Sequence, residues 1–86
     1  MHELSLAVEV CRIAEERLGS NRASRLRVVA LEVGQDAGIE PANLEFCLET
    51  LLSQSPFGAA RPALRHVEGR DLRIEYLEVE DGGPDD

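Results

Sequence analysis

One segment, residues 25–34, restricts the fold of this chain more than any other. It is rich in residues that favour strands, and Val28, Val29, Ala30 and Leu31 place apolar side chains at both odd and even positions. A strand with one solvent-exposed face would instead alternate apolar and polar residues. The run therefore predicts a strand that is covered on both faces at its centre, or that lies centrally in a sheet.

Two segments with helical periodicity flank this strand. The first spans about residues 4–18, and Gly19 is placed to end it. Its predicted apolar stripe consists of Leu4, Ala7, Val8, Cys11, Ala14 and Leu18. The second helix begins at Glu40-Pro41, with Pro41 in the first helical position. Its predicted stripe consists of Leu44, Cys47, Leu48, Leu51 and Leu52.

Two short strands are predicted near the end of the chain, at about residues 62–67 and 71–80. The residues between them, Glu68-Gly69-Arg70, form a turn short enough for a β-hairpin. Apolar positions in the last strand change parity after Tyr76, which predicts a bulge or a change in what covers the strand. On this pattern Tyr76 shares a face with Leu72 and Ile74.

The predicted order is helix, strand, helix, strand, strand. Two helices can cover one face of a three-stranded sheet, so the expected fold class is α+β. A chain of 86 residues is expected to form one domain, here residues 1–80. Residues 81–86 contain only Asp, Gly and Pro and are expected to be a disordered acidic tail.

Charge and hydropathy exclude several functions. The formal net charge is −8, which predicts repulsion from nucleic acids and from anionic membrane surfaces. No apolar run reaches 18 residues, so no membrane span is predicted. Charged residues at positions 3, 9, 12, 15 and 16 interrupt any signal-peptide core. We therefore expect a cytoplasmic location.

The cysteines and other reactive residues give no indication of an enzyme. Cys11 and Cys47 lie at apolar helical positions, where buried free thiols are favoured over a disulfide. The sequence contains no Cys-x-x-Cys pair for a structural zinc ion, no phosphate-binding loop and no serine at a nucleophile spacing. His66 is expected to be a surface residue of a strand.

The first three residues carry the one candidate ligand set whose members are neighbours in the sequence, so that no particular fold is needed to bring them together. The Met1 amine, the His2 imidazole and the backbone amides of His2 and Glu3 lie within reach of one ion. Nitrogen ligands in a plane suit Ni(II) or Cu(II). The sequence allows two roles for the Glu3 carboxylate: it can lie near the metal, or it can stabilise the first helical turn through the helix dipole.

Several blocks of the sequence together resemble the HypA/HybF family. They are Met-His-Glu-Leu-Ser-Leu-Ala at 1–7, Leu-Glu-Val-Gly at 31–34, Gly-Ile-Glu-Pro at 38–41, Leu-Glu-Phe-Cys at 44–47 and Leu-Arg-Ile-Glu-Tyr-Leu-Glu-Val-Glu at 72–80. This resemblance implies a nickel metallochaperone for [NiFe]-hydrogenase maturation. Carried over to this chain, the nickel site of the family falls on Met1, His2 and Glu3. The implied partners are a HypB-like GTPase and the precursor of the hydrogenase large subunit.

The chain departs from the family pattern between its last two strands. The family normally carries a zinc module there with two Cys-x-x-Cys pairs, whereas here Glu68-Gly69-Arg70 closes the gap. The resemblance therefore implies a nickel-binding domain without zinc. Two other interpretations stay open: a metal-free adaptor between maturation proteins, and a remnant fold that exchanges elements to form swapped dimers.

Overall fold

The computed structural model describes residues 2–80 and contains five elements. They are α1 (Glu3–Ala23), β1 (Leu26–Gly34), α2 (Pro41–Leu52), β2 (Arg61–Val67) and β3 (Leu72–Val79). This order confirms the predicted α+β fold with two helices and three strands. The proposed acidic tail at 81–86 lies outside the described residues.

The strand β1 occupies the centre of the sheet, whose order is β2-β1-β3. It pairs with β2 in parallel and with β3 antiparallel. The predicted hairpin between the last two strands is therefore wrong, because β2 and β3 lie on opposite edges of the sheet. The central position agrees with the apolar run of β1, whose residues Val29, Ala30 and Leu31 are all buried.

A short connection, residues 68–71, crosses the end of β1 to join the two edge strands. Two backbone amides in and after β1 donate to this connection, Gly34 to the Asp71 carbonyl and Asp36 to that of Gly69, and Gln35 donates to the carbonyl of Val67 at the end of β2, all at 2.8 Å. Two strand spacings amount to about 10 Å, which four residues can span. These hydrogen bonds fix the connection against the end of β1.

Both helices pack on one face of the sheet. Val29, Leu31 and Val33 of β1 are buried in the same core as Leu44 and Leu48 of α2. The buried stripe of α1 consists of Ala7, Val10, Cys11, Ala14 and Ala23. Leu4 and Val8 are exposed, so the predicted stripe was wrong at these two positions. None of the described helices is long and apolar enough to cross a membrane.

Gly19 interrupts α1 but does not end it as predicted, because the helix extends to Ala23. Gly19 has φ 79° and ψ 162°, a conformation that is essentially restricted to glycine, and a further helical stretch follows it. Serine, asparagine and arginine at 20–22 continue the chain towards the buried Ala23, which returns it to the core before β1.

The predicted bulge in the last strand is present, but it shifts Tyr76. Register changes between Ala30 and Leu31, whose partners in β3 are Tyr76 and Ile74. The residue between those partners is left out of the pairing, and Tyr76 therefore faces away from Ile74. The prediction that the two share a face was wrong. Tyr76 is exposed, whereas Ile74 packs against the core.

The face of the sheet opposite the helices carries an ionic cluster. The Glu32 side chain, only 14% exposed, contacts the guanidinium of Arg65 and also accepts from Arg73 at 2.8 Å. Arg65 donates to Glu75 at 2.9 Å as well. The cluster joins all three strands. Its arginines are more than half exposed, so its effect on stability is modest.

Candidate metal centre at the amino terminus

His2 lies at the start of α1 with its side chain exposed. It is the N-cap residue in an extended conformation (φ −78°, ψ 137°), and its side chain makes no capping hydrogen bond. Its carbonyl accepts the first helical hydrogen bond, from the Leu6 amide at 3.2 Å. The imidazole is therefore held at the end of a helix without serving as its cap. Met1 lies outside the described residues.

The Glu3 carboxylate is bound to the start of the second helix. One oxygen (Oε2) accepts from the Glu40 backbone amide and the other (Oε1) from the Asn43 side-chain amide, each at 2.9 Å. Glu40 in turn caps α2, since its carboxylate accepts from the Asn43 backbone amide at 2.9 Å. We call these three residues, Glu3, Glu40 and Asn43, the N-terminal clamp.

The clamp favours the ionised form of Glu3. The hydrogen bond from the Glu40 amide, followed by that from the Asn43 side chain, holds the pKa of Glu3 below its ordinary value. The carboxylate also lies in the first turn of α1, where the helix dipole favours a negative charge. The Glu3 carboxylate thus contacts the start of α2 from the first turn of α1.

The described side chains form no ready-made metal cluster. Within residues 2–80, no group of three His, Cys, Asp or Glu side chains is placed to hold a metal ion. His66 is exposed on β2, as expected for a surface residue of a strand. A chelate built from consecutive main-chain nitrogens needs no such cluster. The nearest donors to His2 along the chain are the amides of the first turn, which have no intrahelical partner.

Both cysteines are free, as the sequence predicts. Cys11 is buried in the core, and burial raises the pKa of its thiol to about 11. Cys47 is only partly buried. Neither residue is part of the candidate site.

These environments predict different thiol reactivities. At pH 8 the Cys11 thiolate should be about 200-fold scarcer than that of an ordinary cysteine with a pKa near 8.5. Iodoacetamide should therefore modify Cys47 first, and Cys11 should gain reactivity as the pH approaches 11. Peptide mass spectrometry over time measures both rates. Equal rates at pH 8 would contradict the burial of Cys11.

Sequence reasoning missed two members of the clamp, Glu40 and Asn43. The sequence placed Glu40-Pro41 at the start of a helix, and an acceptor three residues before Asn43 is a local capping signal. The link from Glu3 to α2, however, joins residues 37 and 40 positions apart. It depends on how the two helices pack, which local periodicity does not reveal.

Comparison with known proteins shows which family this chain resembles in sequence. The family model described as "Hydrogenase/urease nickel incorporation, metallochaperone, hypA" matches residues 1–70. The hydrogenase maturation factor HypA of Dechloromonas aromatica is 39% identical over 79 residues, covering 92% of this chain and 70% of that protein. HypA of Parabacteroides distasonis is 35% identical over 69 residues, covering 80% of this chain and 60% of its own length.

A solved structure has the same fold. The solution structure of the Ni metallochaperone HypA from Helicobacter pylori matches with a TM-score of 0.72 at 16% identity. The match covers 92% of this chain and 97% of that one. At this level of identity the comparison concerns the fold alone.

The matched proteins define a class of metallochaperones and maturation factors rather than enzymes. The chain belongs to the HypA family, which confirms the resemblance drawn from its sequence blocks. It spans about 60% of the length of several curated relatives that it matches.

Proposed function

We propose that this chain binds Ni(II) at its amino terminus and passes it on during [NiFe]-hydrogenase maturation. The ligands are the Met1 amine, the His2 imidazole and the backbone amides of His2 and Glu3. The observation that carries the proposal is the exposed His2 at the start of α1, in a member of a nickel-incorporation family. In this proposal the protein carries nickel as cargo and does not keep it as a cofactor.

The donor set suits this ion. Amine, imidazole and deprotonated amide nitrogens favour Ni(II) or Cu(II) in planar coordination, whereas oxygen-rich sites favour Mg²⁺ or Ca²⁺. His2 makes no capping bond that metal binding would have to break. We expect no zinc requirement, because both cysteines are isolated in the sequence and Cys11 is buried.

Replacing His2 with alanine tests the proposal. The variant loses a direct ligand, so nickel affinity should fall by at least about 100-fold, beyond the 10–100-fold typical of outer-shell partners. Because His2 is exposed and forms no cap, the midpoint of thermal unfolding should stay unchanged. Isothermal titration of untagged protein with Ni(II) measures the affinity. Replacing His66, also exposed, provides the control, and equal affinities for wild type and His2→Ala would contradict the proposal.

We also propose that the recipients are a HypB-like GTPase and the precursor of the hydrogenase large subunit. Three large apolar side chains on the helices are available for contacts: Leu4 is 55%, Val8 50% and Phe46 66% exposed. Leu4 and Val8 follow the nickel-binding residues directly on α1. A partner that covers them would also lie beside the metal.

The same exposed side chains support a second candidate function, a metal-free adaptor between maturation proteins. The two functions differ in one measurement. If the chain is only an adaptor, partner binding persists in His2→Ala and in the presence of a chelator. If it delivers nickel, the wild type transfers metal to the partner and His2→Ala does not.

A further inference from the structure

The N-terminal clamp joins the two helices at the place where the proposed nickel ligands begin. Both oxygens of the Glu3 carboxylate are engaged, one by the Glu40 amide and one by the Asn43 side chain. The backbone amide of Glu3 belongs to the proposed ligand set. A single residue thus carries a metal-binding atom on its main chain and an anchor on its side chain.

We propose that Asn43 is a positioning residue for nickel binding, and that the Glu3 carboxylate is an anchor rather than a ligand. Asn43 contacts Glu3 with its side chain and Glu40 with its backbone amide, so it joins both halves of the clamp. This inference rests on the proposed nickel function. It adds a residue from another helix, 40 positions along the chain from Glu3.

The physical reason is preorganisation. The first turn of a helix frays easily, because few hydrogen bonds hold it. In α1 that turn carries His2 and Glu3, and the clamp ties it to the capped start of α2. A chelate whose backbone is already ordered loses less conformational freedom when the ion binds. Loosening the clamp should therefore weaken binding without changing any ligand.

The variant Asn43→Asp separates this role from the stability of α2. Aspartate has nearly the same shape as asparagine, but it presents a carboxylate to Glu3 where a donor is needed. In the first turn of α2 its charge is favoured by the helix dipole, so the helix itself should not weaken. Ala42→Asp is the matched control: Ala42 is exposed, and the change adds the same charge one residue away while Asn43 stays in place.

We expect Asn43→Asp to lower the affinity for Ni(II) about tenfold, the lower end of the range for outer-shell partners. Its nickel absorption bands should match those of the wild type, because the ligands are the same. Ala42→Asp should bind like the wild type. In metal-free protein, hydrogen exchange at the Leu6 amide, which donates to His2, should become faster in Asn43→Asp alone.

Each alternative result has a distinct meaning. Wild-type affinity in Asn43→Asp would overturn the positioning role while the nickel function stands. A shift of the absorption bands in Asn43→Asp would mean that the substitution changes the set of ligands, so Asn43 would not act by positioning alone, which also overturns the proposal. Equal affinities in wild type and His2→Ala would refute the nickel function and with it the role of Asn43. Unchanged Leu6 exchange in Asn43→Asp would show that the clamp does not order the first turn.

Discussion

Replacing Gly34 with alanine is expected to destabilise the protein by about 2–3 kcal/mol, near the upper end of typical overpacking costs. A Cβ at this position would lie 2.5 Å from the Gly69 carbonyl oxygen and 2.9 Å from the Asp71 nitrogen, both backbone atoms. The connection 68–71 would have to move, and its hydrogen bonds to Gly34 and Asp36 would weaken. This loss exceeds the ~0.4–1 kcal/mol that alanine gains by restricting the unfolded chain.

Thermal and urea unfolding measure the effect. A domain of this size loses roughly 4–8 °C of Tm per kcal/mol, so the midpoint should fall by about 10–20 °C. Insertion of Gly-Ser between Gly69 and Arg70 provides a rescue, because a longer connection lets the Gly69 carbonyl move away. The insertion alone should cost less than about 1 kcal/mol in loop entropy. An unchanged midpoint for Gly34→Ala, or no recovery with the insertion, would contradict the close approach.

The topology of the sheet was only partly predictable from the sequence. The sequence allowed two interpretations of β1, a strand covered on both faces at its centre or a central strand, and it also predicted a hairpin between the last two strands. The central position and the hairpin are the two that conflict. In a three-stranded sheet these exclude each other, because a central β1 separates β2 from β3. The apolar run of β1 agrees with the observed central position, since Val29, Ala30 and Leu31 are all buried. The turn residues between the last strands indicated only that the chain changes direction, and a crossing connection satisfies that equally well.

The element boundaries were more predictable than the faces. Pro41 begins α2 as predicted, whereas Gly19 interrupts α1 without ending it, since the helix continues to Ala23. Leu4 and Val8 fit a helical stripe but remain exposed, because periodicity does not reveal how far a short sheet and second helix extend along α1. Tyr76 changed face because one unpaired residue in β3 reverses the alternation that follows it.

The candidate site likewise contains residues that the sequence could suggest and one that it could not. His2 and Glu3 were identifiable because the proposed chelate uses neighbouring residues of the chain. Asn43 was not, because its contact with Glu3 depends on the packing of α1 against α2. From the sequence, the Glu3 carboxylate could lie near the metal or favour the first helical turn. Its hydrogen bonds to the start of α2 depend on the relative position of the two helices, which only the fold defines.

Acetylation of the Met1 amine is expected to remove most of the nickel affinity, by at least about 100-fold, because direct ligands exceed outer-shell partners in effect. An acetylated nitrogen is an amide without a basic lone pair, so the chelate loses its terminal ligand. The position of His2 in the chain does not change. Acetylation therefore tests the amine alone. A one-residue extension would also move the imidazole to the third position and create a different chelate.

The chain allows a matched control for this experiment. A synthetic peptide of residues 1–10, acetylated or free, can be ligated to a fragment that begins at Cys11, so that the two proteins differ only at the terminus. An α-amine must lose its proton before it binds metal, and the reference value for α-amino groups in general is about 7.7–8.0. Nickel affinity of the free form should therefore rise between pH 6.5 and 8.5, and the acetylated form should show a weaker rise. Equal affinity of the two forms at pH 8.5 would mean that the amine is not a ligand and that the proposed chelate is incorrect.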